Sequence, residues 1–123
     1  MVTRKNGILA IVWLTCSVGA LAVLTHRAHA QGTSRQLNIR GDQFAFSPAA
    51  IEVQKDDTVK ITFTAVDMPH SFTLEGYRIS KRAAAGQTVT FEFRADRSGK
   101  FPFVCDLTQD ERCKQMHGEL VVR

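Results

Sequence analysis

The 123-residue sequence is poor in the side chains on which much enzyme chemistry depends. It contains 3 cysteines, 4 histidines, one tryptophan and one tyrosine. It shows no serine, histidine and acid pattern of a nucleophilic triad, no histidine pair at metalloprotease spacing and no glycine-rich phosphate loop. These absences argue against the common hydrolase and nucleotide-binding motifs, and we expect a protein that is not an enzyme.

The N-terminal 30 residues have the composition of an export signal. Two cations precede an apolar run over residues 8–24, and the small residues Ala28 and Ala30 mark a cleavage site. This pattern predicts a secretory signal peptide over residues 1–30, and hence a periplasmic or secreted protein with no membrane insertion after cleavage. The alternative is a retained anchor helix, for which the run is at the short limit.

The positive charge of the chain comes mostly from that N-terminal segment. Three of the 16 lysine and arginine residues lie in residues 1–30, which leaves 13 against 12 aspartate and glutamate residues. The predicted mature chain therefore has a net charge of +1 instead of +4. A domain with so little excess charge lacks the basic face typical of nucleic-acid binding, so we expect no nucleic-acid partner.

The hydrophobic pattern after residue 35 has a period of two. Residues 31–35 are a polar lead that we expect to be flexible. The clearest strand contains Val59, Ile61 and Phe63 in alternation with polar residues. Turn signals separate seven or eight such strands, and no segment has a long amphipathic-helix pattern. This spacing predicts an all-β sandwich or small barrel over residues 36–123.

The parity of these strands brings several potential metal ligands to one end of the sandwich. Cys105 shares the inward side of its strand with two phenylalanines, and Met116 starts the inward side of the last strand. His70 begins another inward-facing run, whereas His117 has the opposite parity to Met116. An imidazole, a thiolate and a thioether form a soft ligand set that suits copper.

Four segments, taken in order, resemble the cupredoxin family. They are Asp67-Met-Pro-His70-Ser-Phe72, Gly86-Gln-Thr-Val-Thr-Phe91, Gly99-Lys-Phe-Pro-Phe-Val-Cys105 and Met116-His-Gly118-Glu-Leu120. The likeness is to small blue-copper proteins, to the copper domain of oxidase subunit II and to EfeO-type cupredoxin-like domains. It covers nearly all of residues 35–123.

The resemblance implies an eight-stranded Greek-key β-sandwich with a copper ion as cofactor. Its ligands carry over to His70, Cys105 and Met116. The expected function is single-electron transfer by a mononuclear site, in a monomer whose partner is a redox protein or a copper-handling protein.

The chain departs from the blue-copper pattern in one respect. The family places a second histidine between the cysteine and the methionine, and no histidine lies between Cys105 and Met116. A binuclear site of the subunit II type would need a cysteine at Gln109 and a histidine at Cys113. We therefore do not expect a binuclear centre.

Three interpretations of Cys113 remain open at this point. It could replace the missing imidazole, so that His70, Cys105, Cys113 and Met116 bind the metal, a set that favours Cu(I). Alternatively, His117 supplies the imidazole, although its parity opposes this. In the third interpretation Cys105 and Cys113 form a disulfide worth about 2–3 kcal/mol. The corresponding alternatives for function are a Cu(I) carrier or buffer and a metal-free binding module.

Overall fold

A computed structural model describes residues 32–123, which fold into nine strands and two short 3₁₀ helices. The predicted signal peptide lies outside the described residues. The strands are β1 Ser34–Asp42, β2 Ala45–Ser47, β3 Ala50–Val53, β4 Thr58–Ala65, β5 His70–Leu74, β6 Ile79–Ala83, β7 Thr88–Arg94, β8 Gly99–Val104 and β9 His117–Val122. The 3₁₀ helices are Glu75–Tyr77 and Glu111–Gln115. Neither helix, in this part of the chain, has the length and hydropathy to cross a membrane.

The strands form two sheets, which confirms the all-β sandwich prediction. One sheet has the order β2-β1-β4-β7 and the other the order β3-β9-β8-β5-β6. β1 pairs with β4, and β3 with β9, in parallel, whereas the other pairs are antiparallel. There is one strand more than the upper number expected, because the chain on either side of Pro48 forms two separate short strands.

The N-terminal lead is shorter than expected, since β1 begins at Ser34. The backbone N–H of Thr33 donates to the Asp57 carboxylate at 2.9 Å, and the N–H of Thr58 donates to the Thr33 carbonyl at 3.1 Å. These bonds fix the start of β1 beside the start of β4. Residues 34 and 35 therefore belong to a strand and not to a lead.

The space between the sheets is filled mainly by phenylalanine rings. Phe72 stacks on Phe103 with ring centroids 4.8 Å apart, and Phe46 meets Phe103 edge-on at 5.1 Å. Phe63 lies 6.0 Å from Phe72. Each such pair contributes about 0.5–1.5 kcal/mol beyond the burial of its area. The rings of β4, β5 and β8 therefore form a packed base beneath the end that carries His70.

β5 positions most of the residues at the end of the sandwich that carries His70. Its five residues are all buried, although only His70, Phe72 and Leu74 share the predicted inward parity. The strand lies between β6 and β8 in the sheet, and Ser71 and Thr73 on its other face are buried as well. On that face the Thr73 hydroxyl lies 3.1 Å from the Ser80 hydroxyl, which satisfies a buried polar group.

Candidate metal centre

His70 is the first residue of β5, and its side chain is completely buried. Its Nε2 lies 2.7 Å from Oδ1 of Asp67. Its Nδ1 has no hydrogen-bond partner, and it is the one buried side-chain nitrogen or oxygen in residues 32–123 that lacks one. Because buried polar atoms are nearly always paired, this lone nitrogen marks a place where a ligand is expected.

Asp67 accepts hydrogen bonds from three directions. Oδ1 accepts the His70 ring nitrogen and the Met68 N–H at 2.9 Å, and Oδ2 accepts the Gln43 N–H at 3.0 Å. Burial alone would raise the pKa of Asp67, but the bonds from His70 and the backbone outweigh it and hold the pKa below its ordinary value. The ionised carboxylate has no proton to donate, so the ring nitrogen that it contacts must be the donor.

Cys105 follows directly on β8 and is buried. Its N–H donates to the Met116 carbonyl at 3.3 Å, which closes the 105–116 loop at its base. Its sulfur accepts the N–H of Ser71 at 3.4 Å. The residue next to His70 thus contacts the cysteine sulfur, and the imidazole and the sulfur belong to one end of the sandwich.

A second contact holds Cys105 in place through its neighbour Asp106. The Ser71 hydroxyl donates to Oδ1 of Asp106 at 2.6 Å and accepts the Asp106 N–H at 2.8 Å. The bond from Ser71 is the main cause of the lowered pKa of Asp106. The Ser71 partner of Asp106 is 35 residues away along the chain. No local signal could have revealed it.

Cys113 lies in the second 3₁₀ helix and is 2 % exposed. Asp110 caps that helix, since its side chain accepts the Arg112 N–H at 3.0 Å and its carbonyl accepts the Cys113 N–H at 3.0 Å. The turn brings the Cα atom of Cys113 to 5.3 Å from that of Cys105, and a disulfide joins the two residues. Of the three interpretations of Cys113, this is the arrangement of the third.

Met116 and His117 are placed as their parity predicted. Met116 is fully buried, whereas His117 is exposed and its Nδ1 lies 2.9 Å from the Gln115 carbonyl. His70, Cys105, Cys113 and Met116 are therefore all buried, and the surface position of His117 sets it apart from them.

A pocket of about 400 Å³ opens beside the disulfide. Its lining includes Phe44, Met68, Leu107 and Cys113. It lies between the segment that precedes His70 and the 105–116 loop. Cys113 is thus almost fully buried yet forms part of a wall that faces a solvent-connected space.

The chemistry of these residues depends on the state of the cysteines. In the described residues, no group of three or more histidine, cysteine, aspartate or glutamate side chains is arranged to hold a metal ion. A disulfide offers no thiolate, which is the form of cysteine that binds metals. Reduction would supply two thiolates at the end of the sandwich that also carries the free His70 Nδ1 and Met116. Thiolates, an imidazole and a thioether are a donor set that fits a soft metal ion.

Comparison with known proteins places this geometry in a family. Residues 8–122 match the model of the cupredoxin-like domain. Cytochrome c oxidase subunit 2 of Thermus thermophilus is 26 % identical over 80 residues, which are 65 % of this chain and 59 % of that protein. The chain thus spans less than two thirds of the curated relatives that it matches.

Two solved structures share the fold at low sequence identity. The metal-binding domain of the Cu(I)-exporting P-type ATPase of Streptococcus pneumoniae D39 matches with a TM-score of 0.63 and 19 % identity, over 76 % of this chain and 89 % of that one. Auracyanin A, a blue copper protein of Chloroflexus aurantiacus, matches with a TM-score of 0.62 and 18 % identity, over 73 % and 99 %. The family match, which spans most of the sequence, is decisive: this chain belongs to the cupredoxin-like domain family.

Proposed function

We propose that this is an exported, monomeric copper-binding protein that holds one Cu(I) ion when Cys105 and Cys113 are reduced and releases it when they form the disulfide. The observation that carries the proposal is the buried His70 Nδ1 without a partner, at the same end of the sandwich as both cysteines. A buried polar atom left unpaired costs about 1–3 kcal/mol, and a bound cation would remove that cost.

The proposed ligands are the four residues named from the sequence. They are Nδ1 of His70, the thiolates of Cys105 and Cys113, and the thioether of Met116. Copper bound there would supply a soft cation that neutralises thiolate charge in a buried site. Two thiolates and a thioether with a single imidazole favour Cu(I) over Cu(II), which is why we favour a carrier or buffer over electron transfer.

The switch between the two states is a thiol–disulfide exchange. A dithiol oxidoreductase would transfer two electrons and two protons to the Cys105–Cys113 bond, giving two thiols here and a disulfide on the reductant. Both thiols would then lose their protons to solvent as the metal binds. In the reverse exchange, an oxidoreductase in its disulfide form would accept two electrons from the two thiolates, so that the Cys105–Cys113 bond forms again and the metal is released. Cys113 lines the pocket beside the 105–116 loop, so the proposed point of attack by the reductant thiolate is the Cys113 sulfur, approached from that pocket.

Single-electron transfer is the second candidate, and one contact favours it. The Ser71 N–H donates to the Cys105 sulfur, and hydrogen bonding around the cysteine sulfur tunes the potential of blue-copper sites. Auracyanin A, which shares the fold, is a blue copper protein. The metal-binding domain of the Cu(I)-exporting ATPase shares it equally well and supports the carrier.

The test is a Cu(I) titration of the exported, purified protein in its oxidised and its reduced form. Cu(I) is supplied anaerobically in competition with a chromophoric chelator. We expect one Cu(I) bound per reduced protein and none per oxidised protein. Cys113→Ser and His70→Ala should each weaken binding strongly, whereas the matched change His117→Ala should not.

Two other outcomes decide between the candidates. An intense visible thiolate-to-copper band that persists after Cu(II) is added to the reduced protein would favour electron transfer. No uptake of copper in either state would reject both metal functions and leave the metal-free binding module. Mass spectrometry of the same sample tests export, since a mature chain that begins at Gln31 is expected.

A further inference from the structure

The His70 ring is held on three sides, and each contact leaves Nδ1 free. Asp67 occupies Nε2 at 2.7 Å. Gly41 lies against one side of the side chain, where an added Cβ would come within 3.1 Å of the ring atom Cδ2. Phe44 meets the ring edge-on, with centroids 5.8 Å apart. This packing leaves little room for the ring to turn over and exchange its two nitrogens.

The Asp67 carboxylate also holds the turn that covers His70. It accepts the N–H of Gln43, and both Gln43 (φ 51°) and Phe44 (φ 59°) have the left-handed backbone that residues other than glycine seldom adopt. Phe44 in turn lies beneath the Arg112 guanidinium, 4.3 Å from the ring centroid. One carboxylate therefore connects the imidazole, the β1–β2 turn and, through Phe44, the 105–116 loop.

We infer that Asp67 is a positioning residue that keeps His70 protonated at Nε2 and presents the Nδ1 lone pair before any metal ion arrives. The tautomer is set by the carboxylate, because an ionised carboxylate can only accept a hydrogen bond and it faces Nε2. The tautomer is a property of the metal-free protein. Its consequence for copper affinity rests on the proposed function, in which Nδ1 is a ligand.

The first test is nitrogen-15 NMR of the histidine rings in the metal-free, oxidised protein at pH 8. We expect His70 to be protonated at Nε2 and bare at Nδ1. His117 is an internal reference with the reverse preference, because its Nδ1 faces the Gln115 carbonyl. A His70 ring protonated at Nδ1 in the parent protein would overturn the inference.

The second test removes the carboxylate. Asp67→Ala should convert the single His70 tautomer into a mixture and weaken Cu(I) binding by the reduced protein by about 10- to 100-fold. If the alanine variant does not fold, Asp67→Asn is tested in its place. Its amide group has an oxygen that accepts hydrogen bonds and a nitrogen that donates them, so the two ends cannot accept from both His70 and Gln43. For Asp67→Asn we expect a partial mixture of the two His70 tautomers. An unchanged His70 tautomer in a folded variant would contradict the inference.

The matched control is Asp57→Asn, which alters a carboxylate that is bonded equally well but lies far from the site along β4. It should lower stability and leave the His70 tautomer unchanged, so a change there would show that the tautomer merely follows stability. Failure of the two proposals can be told apart. A single Nε2-protonated tautomer that Asp67→Ala disrupts, in a protein that binds no Cu(I), would support the positioning role and reject the copper function.

Discussion

Two carboxylates, those of Asp57 and Asp67, lie at opposite ends of β4, and they differ in the groups to which they are hydrogen-bonded. Asp57 precedes the strand and is 2 % exposed; it accepts the N–H groups of Thr33 and Gln54, each at 2.9 Å, and the Arg35 guanidinium at 3.3 Å. Both carboxylate oxygens of Asp57 accept hydrogen bonds. Asp67 follows the strand, and its bonds lead to an imidazole whose other nitrogen has none.

The difference shows how the same kind of residue serves two purposes. At the Asp57 end, the carboxylate fastens the start of β1 to the turn before β4, and the network is complete. At the Asp67 end, a similar network fixes the orientation of a ring and leaves one buried acceptor unused. An unpaired buried atom costs stability, so a fold that retains it is consistent with a function there. We call these the closed end and the open end.

The largest effect should come from filling the open end. Cu(I) should stabilise the reduced protein by about 4 kcal/mol when free Cu(I) is a thousandfold above its dissociation constant. The oxidised protein should gain nothing, because its cysteines offer no thiolate. Urea unfolding of both forms at buffered Cu(I) measures the difference. Equal stabilisation of the two forms would show that the cysteines are not ligands.

The next effect is the loss of the disulfide itself, without metal. Cys105 and Cys113 are 8 residues apart, and opening a loop of this size should cost about 2–3 kcal/mol. Urea unfolding with and without reductant measures it. In Cys113→Ser the reductant should have no effect, since no bond remains to be reduced. A reductant effect on that variant would point to another cause.

Much of the fold could be predicted from the sequence, because a period of two is a local signal. The parity of Cys105, Met116 and His117 also gave their burial correctly. The state of Cys113 could not be predicted, since a loop of this length allows both a disulfide and two separate ligands. The partner of Asp57 is equally hidden, because Thr33 lies 24 residues away.

The role of Asp67 could be predicted from the sequence only in part. It stands three residues before His70, in a segment already singled out by resemblance, so the pair was visible in the sequence. The sequence does not show the orientation of the His70 ring. That orientation depends on Gly41 and Phe44, which approach from the β1–β2 turn and are brought there by the parallel pairing of β1 with β4.

A smaller effect is expected at the closed end. The N–H of Gln54, followed by those of Thr33 and the Arg35 side chain, holds the pKa of Asp57 below its ordinary value against the opposing effect of burial. A lowered pKa in the folded state stabilises the protein above the unfolded pKa of about 3.9, and that contribution is lost as pH falls through the folded value.

The corresponding variant is Asp57→Asn, which keeps one acceptor and so should cost less than disulfide reduction. It should be less stable than the parent protein at pH 7, and the gap should narrow as the pH falls below about 4. Urea unfolding of both proteins between pH 7 and pH 3 measures this. A gap that stays constant down to pH 3 would mean that the charge of Asp57 does not stabilise the fold.

The smallest effect is expected for His117, which belongs to neither the closed end nor the open end. His117 is exposed, and its ring Nδ1 lies 2.9 Å from the Gln115 carbonyl two residues away. His117→Ala should change stability by no more than about 0.5 kcal/mol. It should also leave the Cu(I) affinity of the reduced protein within about twofold, which corresponds to about 0.4 kcal/mol. A large loss of affinity would mean that the loop rearranges on reduction and brings the exposed ring inward, so that the imidazole missing between Cys105 and Met116 would come from residue 117 after all.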